Sequence, residues 1–407
     1  MFVCQVIGKY IDDVDALGDI GSFNMNEIAR VIAKNRSLYV FIFDNVYPIN
    51  SSVENRTARN SQLFYDVKNT SLTLYDVTST STLAHMLRSR IQLRISDLQP
   101  DALCALGSLN PNLESVRLDY CGRMTDAALL HWSAQMPALA RIELLGPFLV
   151  RAAAWISFFE RSGARLRGFL ITQSPRFDTA CIAALAQHAP HLAELRLAEI
   201  GNLSAFTPHI ATLSHLTALE LSYPPPAQQQ HSLNDEAAQA LLRAVGGTLR
   251  RLDLSGNEEL TDATLLDGVL AHVAGLESLA LADVPLVTDQ GVAELFNSWT
   301  ANPPLEFLDL SRNHLPSSAA LAAVLSHSAS GLRELRINSW RETSNAALLE
   351  LGTRGLGLVK VDLGWCRGVD DFVIKGLLDG CERLEEIRCY GCNRVTENCP
   401  RKVCVWC

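Results

Sequence analysis

The residues best suited to chemistry in this chain are its cysteines. Cys389-x-x-Cys392 and Cys404-x-x-Cys407 are separated by 11 residues, and tetrahedral zinc takes four thiolates from paired spacings of this type. The same residues have a structural use, because Cys389 and Cys392 fall at core positions of the repeat described below, and that duty outweighs the ligand count. No metal is expected. The ten histidines are scattered; His188, His191, His209 and His215 fall near helix ends and inter-repeat turns, where solvent-exposed or capping roles are ordinary. No nucleophile, base and orienting group recur together. Gly246-Gly247 precedes Thr248 and Leu249 and reads as a helix terminator before a strand, not as a phosphate loop. The chain is expected to be no enzyme, with no cofactor and no small-molecule substrate.

What must position these residues is a recurring phrase: an apolar residue, two variable residues, an apolar residue, one variable residue and an apolar residue. It begins at Leu113, Leu139, Leu166, Leu192, Leu216, Leu249, Leu276, Leu305, Leu332, Leu358 and Leu384, at steps of 24 to 33 residues. Most steps fall within the leucine-rich-repeat period of roughly 20–29 residues. In Leu276, Leu279 and Leu281 the last two apolar residues are two apart and point the same way from a short strand. Between strands, Leu265, Leu266, Val269, Leu270 and Val273 recur at helical intervals and predict an outer helix over Asp262 to Val273. One strand and one helix cannot bury their apolar faces alone, but stacked neighbours can. The fold class is therefore α/β: a curved leucine-rich-repeat solenoid with parallel strands on the concave face, helices outside and a helical N-terminal cap. The eighth residue after the opening leucine is cysteine at Cys121, Cys366 and Cys392, where a thiol fits a buried turn. Thr125 with Asp126, or Thr261 with Asp262, is placed to cap the following helix. This pattern resembles the cysteine-containing leucine-rich repeats common in ubiquitin-ligase substrate receptors.

Residues 1–70 read as an N-terminal helical cap followed by an irregular stretch from Tyr39 to Asn69. Residues 71–402 are the solenoid, opening with degenerate strands around Leu72 and Leu74 and around Ile91, Leu93 and Ile95, and residues 403–407 form an atypical tail. Pro224 to His231, inside the 33-residue step, can continue neither strand nor helix and should bulge from the rim. No stretch approaches the roughly 20 apolar residues of a membrane span, and Met1 to Asp15 lacks a basic region followed by an apolar run. With cysteines at core positions, a reducing compartment is expected, and the sequons at Asn50, Asn55, Asn69 and Asn202 carry no glycans. The net charge is −9, and residues 101–330 hold 13 Lys/Arg against 23 Asp/Glu, which opposes bulk binding to a phosphate backbone.

The ends carry a sharper signal. Ile11 to Asn26, with Ile28, Ile32, Lys34, Asn35, Arg36 and Leu38, then Leu72-Thr-Leu-Tyr-Asp76, and finally Cys389 to Lys402 resemble the start, an early repeat and the end of the repeat domain in the fungal RAD-seven family. The repeat count agrees, so the resemblance spans nearly the whole chain. It implies a noncatalytic scaffold and recognition subunit of global-genome nucleotide excision repair in the nucleus. The implied partners are a Swi/Snf-type RING-containing ATPase and the elongin C and cullin components of a ubiquitin ligase, with damaged DNA reached through the complex. A generic substrate receptor of a cullin-type ligase outside repair is the alternative that repeat class alone supports. Two departures stand out: the family's basic N-terminal extension has no counterpart here, and Val403-Cys-Val-Trp-Cys407 replaces the family's apolar strand.

The repeat register also names a surface. The residue between the last two strand apolars faces the concavity: Arg117, Glu143, Leu170, Arg196, Glu220, Asp253, Ala280, Asp309, Arg336, Asp362 and Arg388. Such a mixed row suits a protein with complementary charges better than uniform phosphate, although charge is also the ordinary state of an exposed strand face. Trp340, Trp365 and Tyr390 lie eight, seven and six residues after their opening leucines, with Arg336, Arg341, Arg367, Arg388 and Arg394 close in register. Aromatics and Arg are enriched at binding anchors, so Arg336, Trp340, Arg341, Trp365, Arg367, Arg388 and Tyr390 are the expected protein-binding residues. Packing of the tryptophans against neighbouring loops competes with that use.

Overall fold

The structure is a computed structural model that describes residues 71–73, 92–96, 100–109, 111–119, 121–225, 232–396, 399 and 404–405. The expected N-terminal cap, the stretch 39–70, residues 226–231 of the proline-led insertion, and Cys407 lie outside the described residues. The chain divides into two compact units, residues 1–192 and residues 193–407.

In the first unit, strands β1 (Ser71–Thr73), β2 (Gln92–Ser96), β3 (Ser115–Asp119), β4 (Arg141–Leu145) and β5 (Gly168–Thr172) pair in parallel and in chain order. The second unit continues the same plan with β6 (Glu194–Ala198), β7 (Ala218–Ser222), β8 (Arg251–Asp253), β9 (Ser278–Ala280), β10 (Phe307–Asp309), β11 (Glu334–Arg336), β12 (Lys360–Asp362), β13 (Glu386–Arg388) and β14 (Cys404–Val405). Each strand is followed by a helix or helical turn, except that β1 and β2, and β13 and β14, are joined partly through residues outside the description. The phrase leucines are the core: Leu276, Leu279 and Leu281 are each at most 1% exposed. The segment expected as a helix over Asp262 to Val273 contains a π-helix, Thr264–Leu270. In the first unit the core between repeats is aromatic, with Trp155 edge-on to Phe169 at 5.4 Å and to Phe177 at 5.9 Å.

Three recurring devices lock one repeat to the next. The first is a carbonyl acceptor five residues after the opening leucine, met by a donor at offset eight of the following repeat. Cys366 and Cys392 donate their thiols to the Ile337 and Leu363 carbonyls at 3.2 and 3.1 Å. Asn257 and Asn313 give their side-chain amides to Leu221 and Leu281 at 2.8 and 2.7 Å. Burial pushes the Cys366 thiol up to about 12 and Cys392 to about 11, so both rest as neutral thiols and act here as compact buried donors.

The second device joins helix starts. Thr125 and Thr288 accept from the Ala128 and Gly291 amides and cap their helices. The aspartate beside the cap reaches further than its own helix: Asp262 accepts from the Thr288 amide at 2.8 Å and from its hydroxyl, one repeat further on. Asp371 holds Thr396 in the same way, and these Thr396 hydrogen bonds draw its carboxyl below the usual range.

The third is a left-handed turn at offset seven in every repeat from Leu139 onward: Gly146, Gln173, Glu199, Tyr223, Gly256, Asp283, Arg312, Ser339, Trp365 and Gly391 all have φ between +47° and +76°. In the second unit the amide of this residue donates to the offset-six carbonyl of the next repeat, as Tyr223 to Ser255, Arg312 to Asn338 and Trp365 to Tyr390, at 2.7–2.9 Å. Glycine adopts this conformation without strain, whereas other residues do so at roughly 1–2 kcal/mol. At Gly256 glycine is required twice over, because an added Cβ would sit 2.5 Å from the Tyr223 ring.

Candidate protein-binding surface

Strand register builds two rows of alternating charge over the last repeats. Glu334, Lys360 and Glu386 are mutual register partners, and so are Arg336, Asp362 and Arg388. Residues two apart on a strand share a face, so the six form a checkerboard around a small polar recess. The arginines are engaged within it. Arg336 donates to Glu334 at 2.7 Å, approaches Asp309 at 3.4 Å and lies 5.1 Å over the Phe307 ring. Arg388 donates to Glu386 at 2.7 Å, and that carboxylate raises its pKa further. The strand face of these repeats is thus neutralised from within.

Upstream on the same face the balance changes. Glu220, Asp253, Ala280 and Asp309 are successive register partners; Glu220 is paired with Arg196, while Asp253 is held by Ser255, whose amide donates to it at 2.9 Å and whose hydroxyl also hydrogen-bonds it. Burial first, then the charges of Glu220 and Asp309, push Asp253 up to about 6. A raised carboxyl binds its proton more tightly in the folded than in the unfolded chain. Its contribution is therefore greatest below the unfolded value and is lost as pH rises through about 6. Asp253→Asn is expected to raise stability at pH 7 by about 1–3 kcal/mol and to have little effect at pH 4, read from melts of both proteins at the two pH values. Loss of stability at pH 7 would contradict the burial account.

The expected aromatic group does not act as one. Trp365 is 53% exposed, at the left-handed offset with φ +61°. Its ring covers Gly391, which leaves no room for a Cβ, and stands edge-on to Tyr390 at 6.1 Å. The Tyr390 hydroxyl accepts from the Asn338 amide at 2.7 Å, so the platform is braced from below. Trp340 is a correction to the expected set: its side chain is fully buried and its indole N–H donates to the Leu310 carbonyl at 2.9 Å. It fills the offset-eight donor position that Cys366, Cys392 and Asn313 fill elsewhere, and no partner reaches it. Arg341 and Arg367 are exposed on the loop rim with Trp365; Arg367 meets only Glu342, at 3.8 Å, with both side chains 70% exposed. The structure therefore groups Trp365, Tyr390, Arg341 and Arg367 on the rim and Arg336 and Arg388 on the strand face. Cys389 is buried with Cys392, and among the described residues no three His, Cys, Asp or Glu side chains converge as a metal site.

The loop rim gains a context from comparison with known proteins. The chain is 29% identical over 393 residues to the DNA repair protein rhp7 of Schizosaccharomyces pombe and 28% identical over 389 residues to the DNA repair protein RAD7 of Saccharomyces cerevisiae, covering 96% and 94% of this chain. It is homologous to both. It spans 62% of the length of each relative. A leucine-rich-repeat family model matches residues 248–263, and a chain from the crystal structure of the Rad7 and Elc1 complex in yeast superposes with a TM-score of 0.76 at 24% identity, over all of this chain and 92% of that one. The fold is that of a leucine-rich-repeat protein.

Proposed function

We propose that this chain is a noncatalytic scaffold and recognition subunit of nucleotide excision repair, acting in the nucleus beside a Swi/Snf-type RING-containing ATPase and a cullin ubiquitin ligase that includes elongin C. The observation that carries the proposal is homology to two DNA repair proteins along almost the whole of this chain, and the yeast complex with Elc1 supports an elongin-type partner. The repeats supply surface. Cys121, Cys181, Cys366, Cys381 and Cys392 are buried with thiols raised by desolvation, and the exposed Trp365 platform with Arg341 and Arg367 is the kind of anchor set that holds a protein. Damaged DNA is reached through the complex, in keeping with the net charge of −9.

Affinity purification of the tagged chain from nuclear extract, followed by mass spectrometry, tests this reading. Recovery of a RING-bearing ATPase is expected; an adaptor and cullin without it would favour a ligase receptor outside repair. The purified chain is further expected to show no ATP turnover. Turnover abolished by a point change in this chain would overturn the noncatalytic assignment.

A further inference from the structure

The loop rim of the second unit changes character from repeat to repeat at offsets nine and ten. Glu258 and Glu259 stand at one end, Leu286 and Leu315 follow in the next two repeats, and Arg341 beside the exposed Glu342, then Arg367 and Arg394, occupy the last three. The two leucines are 49% and 50% exposed, although each sits beside a buried residue that could have hidden an apolar side chain. The three arginines are held loosely: Arg367 meets Glu342 at 3.8 Å, Arg394 meets Asp370 at 3.6 Å, and Arg341 has no carboxylate partner among the described residues. Contacts this long from arginines 60–70% exposed contribute about 0–1 kcal/mol, so these guanidiniums are free to be redirected, unlike Arg336 and Arg388 on the strand face.

We propose that this rim docks an extended partner peptide whose apolar residues seat on Leu286 and Leu315 and whose carboxylates meet Arg341, Arg367 and Arg394, with Trp365 flanking the junction. The proposal deepens the partner-binding reading of the Trp365 rim, and rests on it. Charge complementarity fixes the acidic end over the last repeats, and Glu258 and Glu259 repel it from the other, so the segment has one orientation. Repeats stand about 5 Å apart, which makes the strip from Leu286 to Arg394 about 20 Å long and matches roughly six extended residues at ~3.3 Å each. A nucleic acid would use the arginines but would leave both leucines without a counterpart.

Selection of random decapeptides by display on the full chain tests the proposal, with affinities of the enriched peptides then measured by fluorescence anisotropy. Enriched sequences should carry two apolar residues followed by two or more carboxylates. Their affinity should fall about ten-fold or more for Leu315→Asp and for the double variant Arg341→Glu/Arg367→Glu. Because all three positions are exposed, unchanged melting temperatures confirm that folding is intact. Peptides with acids replaced by lysine should recover binding to the double variant. Peptides that lose affinity on these variants but carry no acids would overturn the partner chemistry while leaving the rim in place. Peptides insensitive to both variants, or no enrichment at all, would overturn the rim itself. An oligo-dT twenty-mer that binds more tightly than the peptides, and is lost with the same arginines, would replace the peptide with a nucleic acid.

Discussion

Leu281→Asp is expected to remove about 4–5 kcal/mol or more, a large fraction of the roughly 5–15 kcal/mol that stabilises an ordinary domain. Leu281 is 1% exposed; its amide donates to the Asp309 carbonyl at 2.8 Å and its own carbonyl accepts the Asn313 amide at 2.7 Å. A carboxylate there would be desolvated among three repeats with no Lys or Arg buried in the core among the described residues, and because each repeat is stable only against its neighbours the damage spreads along the unit. Leu254→Asp, one repeat earlier and equally buried, should behave alike. Thermal melts read the effect, and an unchanged melting temperature for both variants would contradict the register.

The second large effect separates two tryptophans that look alike in sequence. Trp340→Ala is expected to cost about 3–5 kcal/mol, since it opens a cavity and leaves a buried carbonyl without its donor. Trp365→Ala should change stability by about 0.5 kcal/mol or less, as is usual for exposed positions, because the indole is half exposed and Gly391 beneath it needs no cover. Equal destabilisation by the two substitutions, measured by urea unfolding, would place Trp365 in the core after all.

Trp340 shows how far the sequence could be read. Its place eight residues after Leu332 is the offset at which Cys121, Cys366 and Cys392 mark a buried turn, so the register itself pointed to burial; aromatic size and nearby arginines argued the other way, and geometry decided for the register. Strands β3 to β13, their order and the row from Arg196 to Arg388 followed from the apolar phrase, because period-two alternation leaves each strand residue only one face. The expected atypical tail is corrected by the structure, where Cys404 and Val405 form β14 in parallel register with β13. The intramolecular pairing of Arg336 with Glu334 and of Arg388 with Glu386 was also within reach, as residues two apart on one strand are neighbours.

The left-handed turn was harder to see. Gly146, Gly256 and Gly391 share offset seven, but tyrosine, arginine and tryptophan at the same offset hide the conformation, which is imposed by the amide-to-carbonyl ladder between repeats and not by local preference. The forward reach of Asp262 to Thr288 was hidden for a related reason: a Thr-Asp pair is a complete helix cap by itself, and only stacking shows that the carboxylate serves the next repeat. Leu286 and Leu315 lie outside the apolar phrase, so periodicity gave them no role.

The central claim is that the rim of the last repeats captures a repair partner by protein contact. Pull-down of the RING-bearing ATPase by wild-type chain, Trp365→Ala and Arg336→Ala, with binding of a DNA duplex measured at the same fixed salt, tests it most directly. Trp365→Ala should weaken capture by ~2 kcal/mol or more, Arg336→Ala should weaken it less because that guanidinium is held by Glu334 and Asp309, and DNA affinity should barely change. Normal capture of the ATPase by Trp365→Ala, together with loss of DNA binding, would contradict the account.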